Sequence, residues 1–213
     1  MVQKRFSGKV AMITGAARGM GRSHALAFAE EGASVVALDL GKSRPKLDYS
    51  LGSQEELEET VAVCRRLSRG KAIPVYADVS NPSQVEAAVR KTIGELGRID
   101  ILVNNAGITT GAKLAHELSV EDWDKVLAVN LKGVWLCCRY VIPQMIERRN
   151  GKIINISSIS GLVAFPGYSN YVAAKFGVVG LTKTLAIELA EHDISVNCVC
   201  PGTVPTALCD ADS

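Results

Sequence analysis

Three side chains in this sequence have the types and the order needed to move a proton at a carbonyl carbon: the hydroxyl of Ser158, the phenol of Tyr171 and the amine of Lys175. Tyr171 and Lys175 stand four residues apart in YVAAK, so on a helix they share one face and the ammonium can approach the phenol oxygen. A free tyrosine titrates near pH ~10, and acting as a base near neutrality requires stabilising its phenolate by roughly 3 to 4 kcal/mol. One cation about 4 Å away, at an effective dielectric of about 20, supplies about 4 kcal/mol. Ser158 follows an apolar run, where its hydroxyl can hydrogen-bond the oxygen of a bound alcohol or carbonyl.

The elements that must carry these groups are legible around them. Lys152 to Ile156 reads as a short apolar strand, followed by a small-residue turn with Ser157 and Ser158 and a loop through Pro166 and Gly167. The helix bearing Tyr171 and Lys175 then continues to Ala190. Near the other end of the chain, Lys9 to Thr14 (KVAMIT) is an apolar strand that runs straight into Gly15, Ala16, Ala17, Arg18, Gly19, Met20 and Gly21, then into a helix ending at Gly32. Strand, glycine loop and helix form the first part of a dinucleotide-binding unit: small residues admit a pyrophosphate to the backbone, and the helix N-terminus favours its charge. The next strand, Ser34 to Asp39, ends in a carboxylate 18 residues after Gly21, where it can accept hydrogen bonds from ribose hydroxyls. A 2′-phosphate there would meet a like charge, which argues for NAD over NADP. Arg18 is the residue that argues the other way.

Leu40 to Gly52 is a polar segment where a tight connection is expected, and it reads as a surface insertion or a flap over the adenosine end of the cofactor. Ser53 to Arg69 has a capping box at its start and predicts a helix. Lys71 to Ala77 predicts a strand ending at Asp78 and Val79, and Pro82 to Gly97 a further helix. Ile99 to Val103 predicts a strand ending in Asn104, Asn105, Ala106 and Gly107, whose two amides suit bracing of the backbone around a ligand crevice. Val120 to Arg149 reads as one long helical tract in which Asn130, among apolar neighbours, needs a hydrogen-bonding partner. Ile194 to Val199 is a sixth strand, closed by Cys200, Pro201 and Gly202. Alternating strands and helices over residues 1–213 predict an α/β fold, a single-domain, doubly wound, Rossmann-type parallel sheet of about six strands.

The totals exclude several functions. A net charge of +2 with scattered Lys and Arg, and 5% aromatic residues, argue against nucleic acid. No run of 18 uninterrupted apolar residues predicts a membrane span, and the N-terminus lacks the apolar segment of a signal peptide. The six cysteines show neither Cys-x-x-Cys nor an adjacent histidine, so no metal site is expected and a reduced cytoplasm fits.

Taken together, these residues resemble the short-chain dehydrogenase/reductase family over nearly the whole chain. The matches are Thr14 to Gly21 (TGAARGMG), Asp78, Asn104 to Gly107 (NNAG), Asn130 in VNLKG, Ser158 placed 13 residues before Tyr171, Lys175, and Pro201 to Thr206 (PGTVPT). The resemblance implies that Tyr171 is the general acid/base, that Lys175 lowers its pKa and holds the nicotinamide ribose, and that Ser158 fixes the substrate oxygen. It also implies that Asn130 helps anchor a water relaying protons to Lys175. The cofactor-binding set it implies is Gly15, Ala17, Arg18, Gly19, Met20, Gly21, Asp39, Leu40, Asp78, Val79, Asn105, Ala106, Gly107, Tyr171, Lys175, Pro201, Gly202, Val204 and Thr206. Arg22, Ser23 and His24 after the third glycine, with the insertion at Leu40 to Gly52, are similar to the mycofactocin-coupled dehydrogenases of actinobacteria, which include the carveol dehydrogenases. For that group the resemblance implies that the insertion retains bound NAD and that an external redox carrier re-oxidises it.

The expected activity is NAD-dependent interconversion of a secondary alcohol and a ketone, on an apolar or alicyclic small molecule. The alternative is an NADPH-dependent 3-oxoacyl reductase. The apolar faces of the 120–149 and 171–190 helices resemble those that pair subunits in the family, which predicts a homo-oligomer, tetramer or dimer. Family members run to roughly 250 residues, within the usual range of one domain. The substrate lid and seventh strand that normally follow Thr206 are therefore expected to be missing, and a non-catalytic nucleotide-binding or assembly role is the reading from a different class.

Overall fold

The computed structural model describes residues 4–42, 47, 49–68 and 70–206. Six strands, β1 (Val10–Thr14), β2 (Ser34–Asp39), β3 (Ala72–Tyr76), β4 (Ile101–Asn104), β5 (Gly151–Ile156) and β6 (Ile194–Val199), form one parallel sheet in the order β3-β2-β1-β4-β5-β6. Every residue of β1 is buried, as expected for a central strand covered on both faces. Helices α1 (Gly19–Glu30) and α2 (Gln54–Leu67) cover one face, where Ala25, Ala29, Leu57 and Val61 meet Ala11, Ile13 and Val35. On the other face Met12, Val36, Leu102 and Ile153 meet residues of α3 (Pro82–Leu96), α5 (Gly133–Glu147) and α6 (Ser169–Glu188). Right-handed crossovers require this division, because the chain moves outward from β1 to β3 and then returns to build β4 to β6 on the other side.

Local chemistry sets the element ends. The Ser53 hydroxyl accepts from the Glu56 N–H, and the Glu56 carboxylate accepts from the Ser53 N–H, so the expected capping box starts α2. Asn81 caps α3, and Gly97, at φ +80°, ends it. The fourth strand begins later than expected because both peptide groups of Ile99 are taken by the side-chain amide of Gln144 on α5.

The largest departure is in the 120–149 tract, which is not one regular helix. It divides into α4 (Val120–Leu127), a π-helical turn over Ala128–Lys132, and α5. The Gly133 N–H reaches back five residues to the Ala128 carbonyl, and the widened turn carries Asn130. By length and composition Val120–Glu147 is apolar enough to cross a membrane, but half of its apolar stretch is buried within the protein, as in a core helix. Among the described residues β6 pairs with β5 alone. Residues 43–46 and 48 of the insertion, Arg69, and the segment from Ala207 that includes Cys209 lie outside the described residues.

Asp100 ties three elements together just before β4. Its carboxylate accepts from the Val10 N–H at 2.8 Å and from Arg98 Nε at 3.0 Å, and it pairs with Arg148 from α5. Burial pushes its carboxyl up, but the Val10 N–H and the two guanidinium groups outweigh burial and hold it below the ordinary carboxylate range. The stabilisation is therefore present at neutral pH and is lost as pH falls below about 4, through the depressed folded-state value. Asp100→Ala should lower the unfolding free energy by about 1 to 3 kcal/mol at pH ~7, since it leaves the buried Val10 N–H unpaired and removes both ion pairs. In urea titrations the gap between variant and parent should shrink toward pH ~2; a gap independent of pH would contradict this account.

Candidate active site

A crevice of about 410 Å³ opens at the carboxyl ends of β1 and β4, where the strand order reverses. Thr14 closes its floor. Its hydroxyl accepts from the N–H groups of Asn105 and Ala106, both at 3.0 Å, while the Asn105 amide donates to the carbonyls of Thr14 and Gly15. The expected bracing by the NNAG segment is thus made across the two central strands. No side chain fits within this knot: a Cβ on Gly21 would lie 1.9 Å from the Gly15 carbonyl oxygen, and one on Gly15 would lie 2.9 Å from Ala106 Cα.

The residues present fit a dinucleotide. The first turn of α1 has no side-chain cap and no acidic residue, so its N–H groups face the crevice entrance with the positive end of the helix dipole. At the end of β2, Asp39 accepts from the Ala17 N–H at 3.0 Å and the Leu40 N–H at 2.7 Å, which fixes the carboxylate. Burial pushes its carboxyl above the ordinary range, against the lowering effect of those backbone donors and of Arg18.

The end of the insertion nearest α2 lies over the crevice. Tyr49, Leu51 and Gly52 line the crevice, and the Tyr49 phenol oxygen accepts from the Thr109 N–H at 3.1 Å on the far wall. Gly52 lies so close that a Cβ there would be 2.5 Å from Ala17 Cβ and 3.4 Å from both Asp39 oxygens. We call residues 49–52 the strap.

Tyr171 and Lys175 line the other end of the crevice, and Ser158 follows the lining residue Ser157. Lys175 is 4% exposed, and its Nζ donates to the Ile156 carbonyl at 2.9 Å and lies 5.5 Å from the centroid of the Tyr171 ring. Helical spacing thus brings cation and phenol together, within cation–π range. Burial lowers the Lys175 pKa to about 8. Ser158 caps a short 3₁₀ turn, Ile159–Gly161, and its oxygen accepts from the Ser160 N–H. That turn is pressed against α6: Ser157 donates to the Lys175 carbonyl at 2.9 Å, and a Cβ on Gly161 would lie 2.3 Å from the Ser157 oxygen. Asn130 grips one peptide, accepting from the Ile108 N–H and donating to the Ile108 carbonyl, both at 2.8 Å. Asn130 and Lys175 approach the same spot, since a Cβ on Gly107 would be 3.5 Å from one and 3.8 Å from the other.

Of the residues expected from sequence, Gly15, Arg18, Gly19, Met20, Asp39, Leu40, Asp78, Val79, Asn105, Ala106, Gly107, Tyr171, Lys175 and Thr206 line the crevice. Ala17 and Gly21 lie beneath it, in the supports of Asp39 and Gly15. Asn130 and Ser158 are not part of its lining, to which the neighbouring Ser157 belongs, and the Pro201 carbonyl accepts the Ile159 N–H. Gly202 and Val204 do not line it, whereas Pro205 does. Sequence reasoning passed over Thr14 and Tyr49 as individual residues. A hydroxyl at the last position of a strand that opens a glycine loop is a usable signal for the first. Nothing local marks the second, whose partner is 60 residues away.

A family model described as short chain dehydrogenase matches residues 9–212. The chain is 45% identical over 204 residues to a 3-oxoacyl-[acyl-carrier-protein] reductase of Thermotoga maritima, covering 96% of this chain and 77% of that protein. It is 42% identical over 205 residues to a (−)-trans-carveol dehydrogenase of Rhodococcus erythropolis, covering 96% and 74%. Among solved structures, carveol dehydrogenase from Mycobacterium avium in complex with NAD superposes with a TM-score of 0.93 at 37% identity, over 96% of this chain and 74% of that one. The crevice at the strand reversal and the buried lysine beside a tyrosine thus sit in a fold and a sequence shared with these enzymes, and the chain belongs to the short-chain dehydrogenase family of oxidoreductases that act on CH–OH groups.

Proposed function

We propose that this chain is an NAD-dependent dehydrogenase that interconverts a secondary alcohol and a ketone, with Tyr171 as general acid/base. The observation that carries the reading is the pairing of a fixed, half-buried carboxylate at one end of the crevice with a buried cation beside a phenol at the other. Asp39 supports NAD in particular. It presents negative charge at the end of β2, and Gly52 packs over it, leaving little room for a 2′-phosphate. The name of the NAD-bound carveol dehydrogenase agrees, and the exposed apolar side chains of Leu114, Leu162, Val163 and Phe165 suit an apolar or alicyclic substrate.

In the oxidising direction, the Ser158 hydroxyl and the Tyr171 phenolate hold the alcohol oxygen, and the phenolate takes its proton. Bound in the crevice, the nicotinamide supplies the acceptor for the hydride that leaves the carbinol carbon. Lys175 keeps the phenolate accessible near neutrality by placing a poorly solvated ammonium beside it. Asn130 acts on position, holding the Ile108 peptide and with it the wall that runs on from Gly107. The exposed Trp135 on α5 and Phe176 on α6 support pairing of copies through these helices, which light scattering would report.

The 3-oxoacyl reductase relative, together with Arg18 at the crevice, supports a second reading with NADPH. Isothermal titration separates the two. NAD should bind more tightly than NADP, and Asp39→Asn should narrow the difference by about tenfold, the scale of one charged hydrogen bond. Tighter NADP binding by the parent chain would favour the reductase. Tyr171→Phe should lower turnover by about 10²- to 10⁴-fold with nucleotide binding retained. The pH dependence follows from Lys175. Its cation is present below pH about 8 and is lost above it, so kcat/KM for alcohol oxidation should rise as Tyr171 deprotonates and bend downward above about that pH. Lys175→Met should be slow throughout and lack the bend; a profile of unchanged shape would refute this role.

A further inference from the structure

The first residues of the loop after β4 are tied at Asn105, Ala106, Ile108, Thr109 and Thr110, and these ties lead in two directions. Thr109, next to the Asn130-gripped Ile108, donates its N–H to the Tyr49 phenol of the strap at 3.1 Å. The Thr110 hydroxyl accepts from Asn170 Nδ2 at 3.2 Å. Asn170 is 2% exposed and precedes Tyr171 in the first turn of α6. Its Oδ1 accepts from the Tyr171 N–H at 2.7 Å, and its Nδ2 also reaches the Asp122 carbonyl at 3.3 Å. Lys113 completes the seam, donating its N–H to the Gly167 carbonyl just before α6. A buried amide is worth its desolvation only when both ends are bonded. Here one end holds Tyr171 and the other holds the loop to which the strap is tied.

We propose that this three-link connection, strap to Thr109, Thr110 to Asn170, and Asn170 to Tyr171, couples seating of the strap over the dinucleotide crevice to placement of the reacting phenol. Tyr49, Thr110 and Asn170 are then positioning residues. The proposal rests on the reading of Tyr171 as acid/base. Neither Thr110 nor Asn170 lines the crevice, so neither has a direct route to the nucleotide. Coupling is reciprocal: what loosens the loop at Thr110 must loosen the strap at Tyr49, and opening the strap must disturb Tyr171. With these ties intact, the phenol is placed when the strap is seated.

The test uses the full chain and two readouts: the rate at which NADH dissociates, followed by its fluorescence, and the ultraviolet titration of the Tyr171 phenolate, taken as the difference from Tyr171→Phe. Tyr49→Phe and Thr110→Val should each speed NADH release by about fivefold or more. The double variant should be no faster than the faster single variant, and Thr110→Ser, which keeps the hydroxyl, should restore the parent rate. Tyr49→Phe, which retains the ring, should also shift the midpoint of the Tyr171 titration, and this readout stands even if Thr110→Val fails to fold. Multiplicative rates in the double variant, an unaltered release rate in Thr110→Val, or an unmoved midpoint in Tyr49→Phe would each overturn the coupling. Full turnover by Tyr171→Phe would instead overturn the acid/base reading and leave the release rates to report on the connection.

Discussion

The reacting end of this chain depends on how closely β1 and β4 are drawn together at their carboxyl ends. At a strand-order reversal the two crossovers leave in opposite directions, and a gap opens between them. Here the gap is closed at its base by Thr14 and Asn105, each bonded twice across it, and remains open above, where a ligand can enter. Each of these hydrogen bonds contributes only about 1 kcal/mol net. The steric term is larger, because a side chain at Gly21 would have to occupy the position of the Gly15 carbonyl. Attraction therefore fixes the register of the loop, and the absence of two β-carbons makes its close approach possible.

A second theme is the burial of polar groups in matched chains. Asn104 on β4 donates to Asn155 on β5 at 2.8 Å, and Asn155 donates to Thr182 on α6 at 2.9 Å, so the strands beneath the reacting groups are locked to the helix that carries them. Lys175 is embedded in the same region, and Asp39 at the far end is half-buried. In both, desolvation is the largest cause of the shift, and in both it favours the neutral form. The crevice is thus a slot with a partly desolvated carboxylate near one end and a buried amine near the other, where charges on a bound molecule count for more than they would in water.

Much of this was written in the order of residues. Glycine loop, carboxylate-ended strand and Tyr-x-x-x-Lys each carry their geometry within a few positions, so the strand–loop–helix unit and the shared face of Tyr171 and Lys175 follow from local rules. The segment holding the strap was legible as an insertion or a flap over the cofactor, but its anchor was not, because that contact joins Tyr49 to a backbone N–H on another strand's loop. Asn130 was recognisable as a buried amide in need of a partner. Its partner, the Ile108 peptide, and the widened turn that delivers it depend on tertiary packing. Likewise the delayed start of β4 came from the Gln144 side chain, which no strand pattern foretells.

The widened turn sets the helical phase of the whole tract. Val126, Asn130, Val134 and Cys138 are all buried, at steps of four, four and four, before the stripe resumes at Val141 and Met145. In an unbroken α-helix each residue advances about 100°, so twelve residues overshoot three full turns by about 120°, a little more than one residue's worth. The π-turn absorbs that surplus and keeps the stripe on one azimuth from α4 into α5. An amide and a row of aliphatic side chains can then face the same interior without a twist between them. The tract consequently tolerates substitution on its outer side more readily than any change in residue count: removing one residue would rotate everything beyond it and carry Asn130 away from the Ile108 peptide.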